Sequence, residues 1–112
     1  MVLVMELSNN QRKYLKSIAH GLRPVIMIGD KGLSENVRTE TDLAASHHEL
    51  IKVKLSVGDR ELRDQMIADL STALDLTLVQ RIGNIAVFYR PRPKNYKAGK
   101  KTNLEELRLP KS

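Results

Sequence analysis

The 112-residue chain has no cysteine and no tryptophan, and aromatic residues make up only 4% of it. Without cysteine there is no disulfide, no Cys-ligated zinc and no thiol nucleophile, and the composition fits a reducing compartment. Scarce rings count against recognition by stacking bases on exposed aromatic platforms. Tyr14 and Phe88 are expected in the core, which leaves Tyr89 and Tyr96 for the surface. No apolar run approaches the roughly 20 residues needed to cross a bilayer. The opening Met1-Val2-Leu3-Val4-Met5-Glu6 is too short for a secretory signal and lacks its basic region. A soluble, cytoplasmic protein is the expectation.

Signs of catalysis are equally sparse. The Gly-x-x-x-x-Gly-Lys-Ser/Thr nucleotide loop is absent, and none of the serines sits in a nucleophile-elbow context. His47, His48 and Glu49 are adjacent, and successive helical residues point about 100° apart, so they lack the i, i+4 histidine spacing of zinc proteases. The chain reads as a non-enzyme with no cofactor and no metal.

What the chain does contain is basic charge, unevenly placed. A 41% hydrophobic content supports one domain with a modest core. Residues 90–112 hold eight Lys or Arg against two Glu, a balance of +6 that equals the net charge of the whole chain and leaves residues 1–89 formally neutral. A domain is expected over residues 1–90. A basic tail follows over 91–112, and its proline-bearing, apolar-poor composition predicts disorder. Lys97, Lys100 and Lys101 in that tail are candidate contacts to a polyanion.

Hydrophobic spacing gives the element order. Ser8 is placed to cap a helix through residue 20, with Tyr14, Leu15, Ile18 and Ala19 on one face and Gly21 after its end. Arg12, Lys13 and Lys16 gather into a compact patch off that face. Residues 25–28 form a strand, and Ser34 caps a second helix to about Ser46. Ile51, Val53, Leu55 and Val57 then alternate with Lys52, Lys54 and Ser56, the pattern of a half-buried strand with a basic outer face. Lys52 and Lys54 there would either touch a polyanion or guard an exposed sheet edge. Asp59 caps a third helix to about Leu74, with Leu62, Met66, Leu70 and Ala73 as its apolar stripe and Arg60 and Arg63 among its polar positions. Residues 77–82 and 85–90 are strands joined by Gly83-Asn84, a hairpin signal. The class is α/β of the α+β type, an α-β-α-β-α-β-β domain with a small mixed sheet.

Residues 24–34 are the most informative. The apolar run Val25-Ile26-Met27-Ile28 passes into Gly29-Asp30-Lys31-Gly32, then Leu33 and the cap Ser34. Two glycines three apart, between a buried strand and a helix start, leave backbone N–H groups able to face a phosphate with no Cβ in the way. Gly29, Asp30, Lys31 and Gly32 are therefore the first candidates for binding a nucleic-acid backbone, with Lys31 as the cation of the loop.

The resemblance extends beyond this loop. Gln11-Arg12-Lys13, Leu22-Arg23-Pro24-Val25, Ile28-Gly29-x-x-Gly32-Leu33, the run from His48 through Glu49, Leu50, Ile51, Lys52 and Val53 to Lys54, and Val79-Gln80-x-Ile82-Gly83 continuing to Phe88-Tyr89-Arg90-Pro91 are together similar to the CRM domain (chloroplast RNA splicing and ribosome maturation). The likeness is to its bacterial stand-alone, YhbY-like members, over about residues 7–91. It implies a fold similar to the C-terminal domain of bacterial translation initiation factor 3 and to KH-like domains. It also implies RNA binding through the Gly-x-x-Gly loop and association with large-subunit ribosomal RNA in precursor particles, and a monomer is the separate expectation. The family loop falls on Gly29, Asp30, Lys31 and Gly32, and its His-Glu-Leu-Ile-Lys signature on His48 to Lys52. The second loop position is often Lys or a small polar residue in relatives, and here it is Asp30. A carboxylate repels phosphate, so the loop either binds more weakly or relies on Lys31 alone. The alternative reading is a protein-interaction module for a ribosomal protein or assembly factor, with a tail that attracts RNA non-specifically.

Overall fold

Each helix begins where capping chemistry puts it in the computed structural model, which describes residues 7–29 and 31–91. Gln11 N–H donates to Ser8 Oγ at 3.1 Å while Ser8 N–H donates to Gln11 Oε1 at 3.0 Å, a reciprocal capping box that starts α1 (Asn9–His20). Ser34 accepts from Val37 N–H at the start of α2 (Glu35–His48), and Asp59 accepts from Glu61 N–H at the start of α3 (Arg60–Leu74). Gly21 follows α1 in a right-handed conformation with φ −90°, so the helix ends without using glycine's freedom.

Four strands, β1 (Ile26–Ile28), β2 (Leu50–Leu55), β3 (Thr77–Ile82) and β4 (Ile85–Tyr89), form one sheet in the order β1-β2-β4-β3. β1 runs parallel to β2, with α2 as the crossover that a parallel pair needs. The other two pairings are antiparallel. Gly83 takes φ 57° in the two-residue turn between β3 and β4. The seven expected elements are thus present, in order, as three helices and a mixed four-stranded sheet.

Both faces of the sheet are covered. α2 and α3 lie on one, where Ala45, Met66, Ile67 and Leu70 meet Ile28, Ile51, Val53, Leu55 and Phe88. α1 lies on the other, where Leu15 and Ala19 meet Leu50, Val79, Val87 and Tyr89. This double cover overturns three expectations. β2 is neither an edge nor half-solvated, since it lies between β1 and β4 and the face that carries Leu50 and Lys52 is under α1. Tyr89 is a core residue, only 3% exposed. The inward row of α3 is Arg63, Met66, Ile67, Leu70 and Leu74, whereas Leu62 and Ala73 are exposed. Lys52 and Arg63 mislead a polar/apolar pattern for the same reason: a long aliphatic stem packs inside while the charged head reaches a polar partner.

One irregularity redirects a side chain. Leu78 pairs with Phe88 and Gln80 with Val87, so Val79 is the extra residue of a β-bulge in β3. Val79 and Gln80 both turn to the α1 face, and Arg81 is thereby moved to the α3 face, where it pairs with Asp64.

Candidate nucleic-acid interface

The glycine loop hangs from a tied root. Ser56 N–H donates to Ile28 O at 2.7 Å, which locks the end of β1 to the exit of β2. Gly32 N–H donates to Gly29 O at 3.0 Å, which ties the two glycines of the loop together, and Ser34 N–H donates to Gly32 O at 3.2 Å. The two glycines do different work. Gly32 has φ +75°, which is what calls for glycine there, and a Cβ would lie 3.4 Å from the flexible end of Met66, an ordinary contact. Gly29 has no positive φ, and a Cβ there would meet nothing within 4 Å. Of the loop's backbone donors, the Gly32 N–H is used inside the loop. Lys31 is exposed at the tip. Asp30 lies outside the described residues, as do Lys97, Lys100 and Lys101.

The basic residues expected beside the loop divide by what their charged heads touch. Arg12 Nη1 donates to Leu78 O at 3.0 Å and Val79 O at 2.6 Å, pinning α1 to β3. Lys52 Nζ donates to Ala19 O at 3.0 Å and Leu22 O at 3.2 Å, at the C-terminal end of α1 where carbonyls lack helical partners. Both hold the fold together. Lys13 is exposed. Lys16 borders, with His20 and Lys52, a hollow of about 130 Å³ between α1 and the β3–β4 hairpin. Lys54 is half-buried, in register with Met27 and Ile85. α1 lies on the sheet face opposite α2 and α3, so Lys13 and Lys16 do not share a face with the turn that rests on Met66.

Arg90, counted with the tail by composition, belongs to the folded body. Its Nη1 donates to Asp42 Oδ1 at 2.7 Å and Leu74 O at 2.8 Å, and its Nη2 to Asp42 O at 3.0 Å and Ser46 Oγ at 2.7 Å. One guanidinium thus clamps the end of β4 to α2 and α3, and residues 91–112 keep a balance of +5. Nearby, Glu49 ends α2 at φ 65° and ψ −51°, and its carbonyl accepts Arg90 N–H at 2.9 Å. Burial, with the Glu49 carboxylate adding to it, pushes the Tyr89 hydroxyl up to about 12.

Sequence reasoning left one group undecided. Arg60, Arg63, Arg81 and Gly83 line a second hollow, of about 270 Å³, beside the first turns of α3. Arg60 and Arg63 share a helical neighbourhood legible from spacing, but Arg81 joins them only through the bulge, which alternation does not reveal.

Comparison with known proteins gives the lineage. Residues 7–90 match the model of the CRS1 / YhbY (CRM) domain. An "RNA-binding protein" of Haemophilus influenzae is 46% identical over 85 residues, covering 76% of this chain and 86% of its own length. A "Probable RNA-binding protein" of Pseudomonas aeruginosa is 42% identical over 90 residues, covering 80% of this chain and 86% of its own. The solution structure of a Staphylococcus aureus protein, described as a candidate RNA-binding protein, superposes with a TM-score of 0.72 at 32% identity, covering 94% of this chain and 100% of that one. With a family model matched over residues 7–90 and relatives at 46% and 42% identity, the chain belongs to the CRS1 / YhbY (CRM) domain family.

Proposed function

We propose that the chain is a cytoplasmic RNA-binding protein that associates with large-subunit ribosomal RNA in precursor particles, with the Gly29–Gly32 turn as its main contact to the RNA backbone. The observation that carries this reading is the turn itself. Its root is tied to β2, open space surrounds Gly29 where a side chain would stand, and Lys31 is exposed at the tip. A phosphate can approach the Gly29 backbone closely and meet the Lys31 ammonium at once. The names of the relatives support RNA as the polyanion. Phe88 and Tyr89 are buried and Tyr14 is half-buried, so the described rings offer no stacking platform. Binding then depends on charge and shape, without turnover of the RNA.

The test is salt-dependent affinity for a large-subunit ribosomal RNA transcript. Lys31→Glu should weaken binding by more than about 1 kcal/mol, a threshold just below the range of about 1.5–3 kcal/mol for a hydrogen bond to a charged group. It should also lower the log–log salt slope by about 0.7 for a single-stranded contact. Replacing Lys97, Lys100 and Lys101 by Gln should reduce affinity without abolishing it. If the triple replacement abolishes binding and Lys31→Glu changes nothing, the loop is only a turn.

A further inference from the structure

We infer that the hollow lined by Arg60, Arg63, Arg81 and Gly83 is a second phosphate site, which takes a backbone phosphate of the same RNA that the Gly29–Gly32 turn holds. This inference rests on the RNA-binding reading and extends it to residues on the opposite side of the sheet end.

The three guanidinium groups are held to different degrees. Arg63 lies on the inward row of α3, where its Nη1 donates to Val57 O at 2.9 Å. Its Nε is buried with no acceptor among the described residues, so this cation sits in a poorly solvated setting that strengthens its pull on an anion. Arg81 is turned to the α3 face by the Val79 bulge and held by Asp64 through Nη1. A guanidinium carries five N–H donors in a planar fork, so that single bond leaves others for a bidentate grip on phosphate. Arg60, the first residue of α3, is exposed. Gly83 completes the lining with φ +57° and nothing within 4 Å of an added Cβ, so an anion can reach its backbone.

The carboxylates nearby, Asp59, Glu61 and Asp64, match the three arginines in formal number, so the hollow offers directed N–H donors rather than net positive charge. Asp64 neutralises one arginine, and its side chain is half exposed. Asp59 Oδ1 is occupied by Glu61 N–H at 2.9 Å as the helix cap, and Glu61 is exposed in the first turn.

Topology puts the hollow in line with the loop. Ile28 is in register with Leu55, and Lys54 with Ile85, so the last residue of β1 and the β3–β4 turn lie at the same end of the sheet. β1 and β3 are its two edges, three strand spacings apart, about 14 Å. An RNA strand laid across this end would meet Lys31 at one edge and the arginines at the other. Once one contact is made the second becomes intramolecular, which raises affinity without enlarging either site.

The experiment uses the full chain and the same ribosomal RNA transcript, with Arg60→Gln and Arg81→Gln, Arg23→Gln as a matched loss of one exposed charge, and Lys31→Glu alongside. Each hollow variant should weaken binding roughly tenfold, as loss of a charge-assisted hydrogen bond would, and lower the salt slope by about 0.7 to 0.9. Arg23→Gln should do neither. Asp64→Asn frees Arg81 and should tighten binding about two- to fivefold, the range that an exposed ion pair is worth, beyond the same charge change in Asp69→Asn. If Lys31→Glu weakens binding while the hollow variants match Arg23→Gln, the hollow is not a site and the loop reading stands. If neither set matters, the loop contact fails together with the hollow. A Gly83 amide that shifts on titration with sodium phosphate, in a protein whose hollow variants bind RNA normally, would assign the hollow to free phosphate and overturn the inference.

Discussion

Lys52→Met separates a fold-holding lysine from an RNA-binding one. Methionine keeps the stem volume and removes the ammonium that donates to Ala19 O at 3.0 Å and Leu22 O at 3.2 Å. Ala19 O retains Leu22 N–H at 3.0 Å, so the uncompensated loss falls on Leu22 O. One charge-assisted hydrogen bond contributes about 1.5–3 kcal/mol, and a cation at a helix C-terminus about 0.3–1 kcal/mol. Since the site is only half-buried, about 2 kcal/mol is the expected destabilisation. In urea, with a slope near 1 kcal/mol per M for so small a domain, the midpoint should fall by roughly 2 M at unchanged slope. Lys54→Met, on the same strand and face with no carbonyl partner among the described residues, should change stability by less than about 0.5 kcal/mol. If the two variants are equally stable, Lys52 is not capping α1. Its ammonium would then be free for other work.

Further outcomes follow from single groups. Tyr89 has its pKa raised to about 12 from an ordinary value of 10, so the neutral phenol is favoured in the folded state. Its contribution is intact below pH 10 and lost as pH rises through 12. Stability should therefore fall across that window by at most about 2.7 kcal/mol, two pH units at about 1.36 kcal/mol each, and Tyr89→Phe should flatten this alkaline limb in a pH series of thermal melts. Gly32→Ala should cost about 1–2 kcal/mol because of its left-handed backbone. Gly29→Ala should leave the melting temperature unchanged yet weaken RNA binding, and an unchanged affinity would show that no phosphate comes close to that backbone. Asp75 ends α3 in the left-handed region with φ 55°, and the last turn of that helix holds no basic residue. Asp75→Gly relieves both the backbone and the unfavourable charge, and calorimetry should show a gain of about 1 kcal/mol.

Helix starts were the most legible part of the chain, because a cap is a local contract between residues three apart. Ser8 with Gln11 and Ser34 with Val37 can be read directly, and so can the order of elements. Strand environment was less legible. Alternating lysines mark a solvated face only if nothing covers it, and α1, far away in sequence, covers the one that carries Lys52. Arg12 and Arg90 likewise look like surface charge until backbone carbonyls from β3 and α3 are brought to them. The bulge at Val79 leaves no trace in a period-two pattern, which is why Arg81 could not be grouped with Arg60 and Arg63 from sequence. The glycine loop was legible as a motif, but the division of labour between Gly29 and Gly32 lies in backbone conformation, left-handed at the second glycine only, which the motif does not reveal.

The shortness of β1 has a dynamic consequence. Three residues pair on one side only, Met27 is 66% exposed, and the strand is otherwise fastened by Val25 N–H to Lys52 O and Ser56 N–H to Ile28 O. Local opening of such an edge needs far less free energy than global unfolding, whereas β2 and β4 exchange their amides only when the centre of the sheet gives way. The turn proposed as the RNA contact thus hangs from the least cooperative strand among the described residues, so in that role it could adjust to an RNA surface while the central sheet stays closed. A bound ligand that clasps the turn would close that strand as well, and slowed amide exchange at Ile26, Met27 and Ile28 would record it.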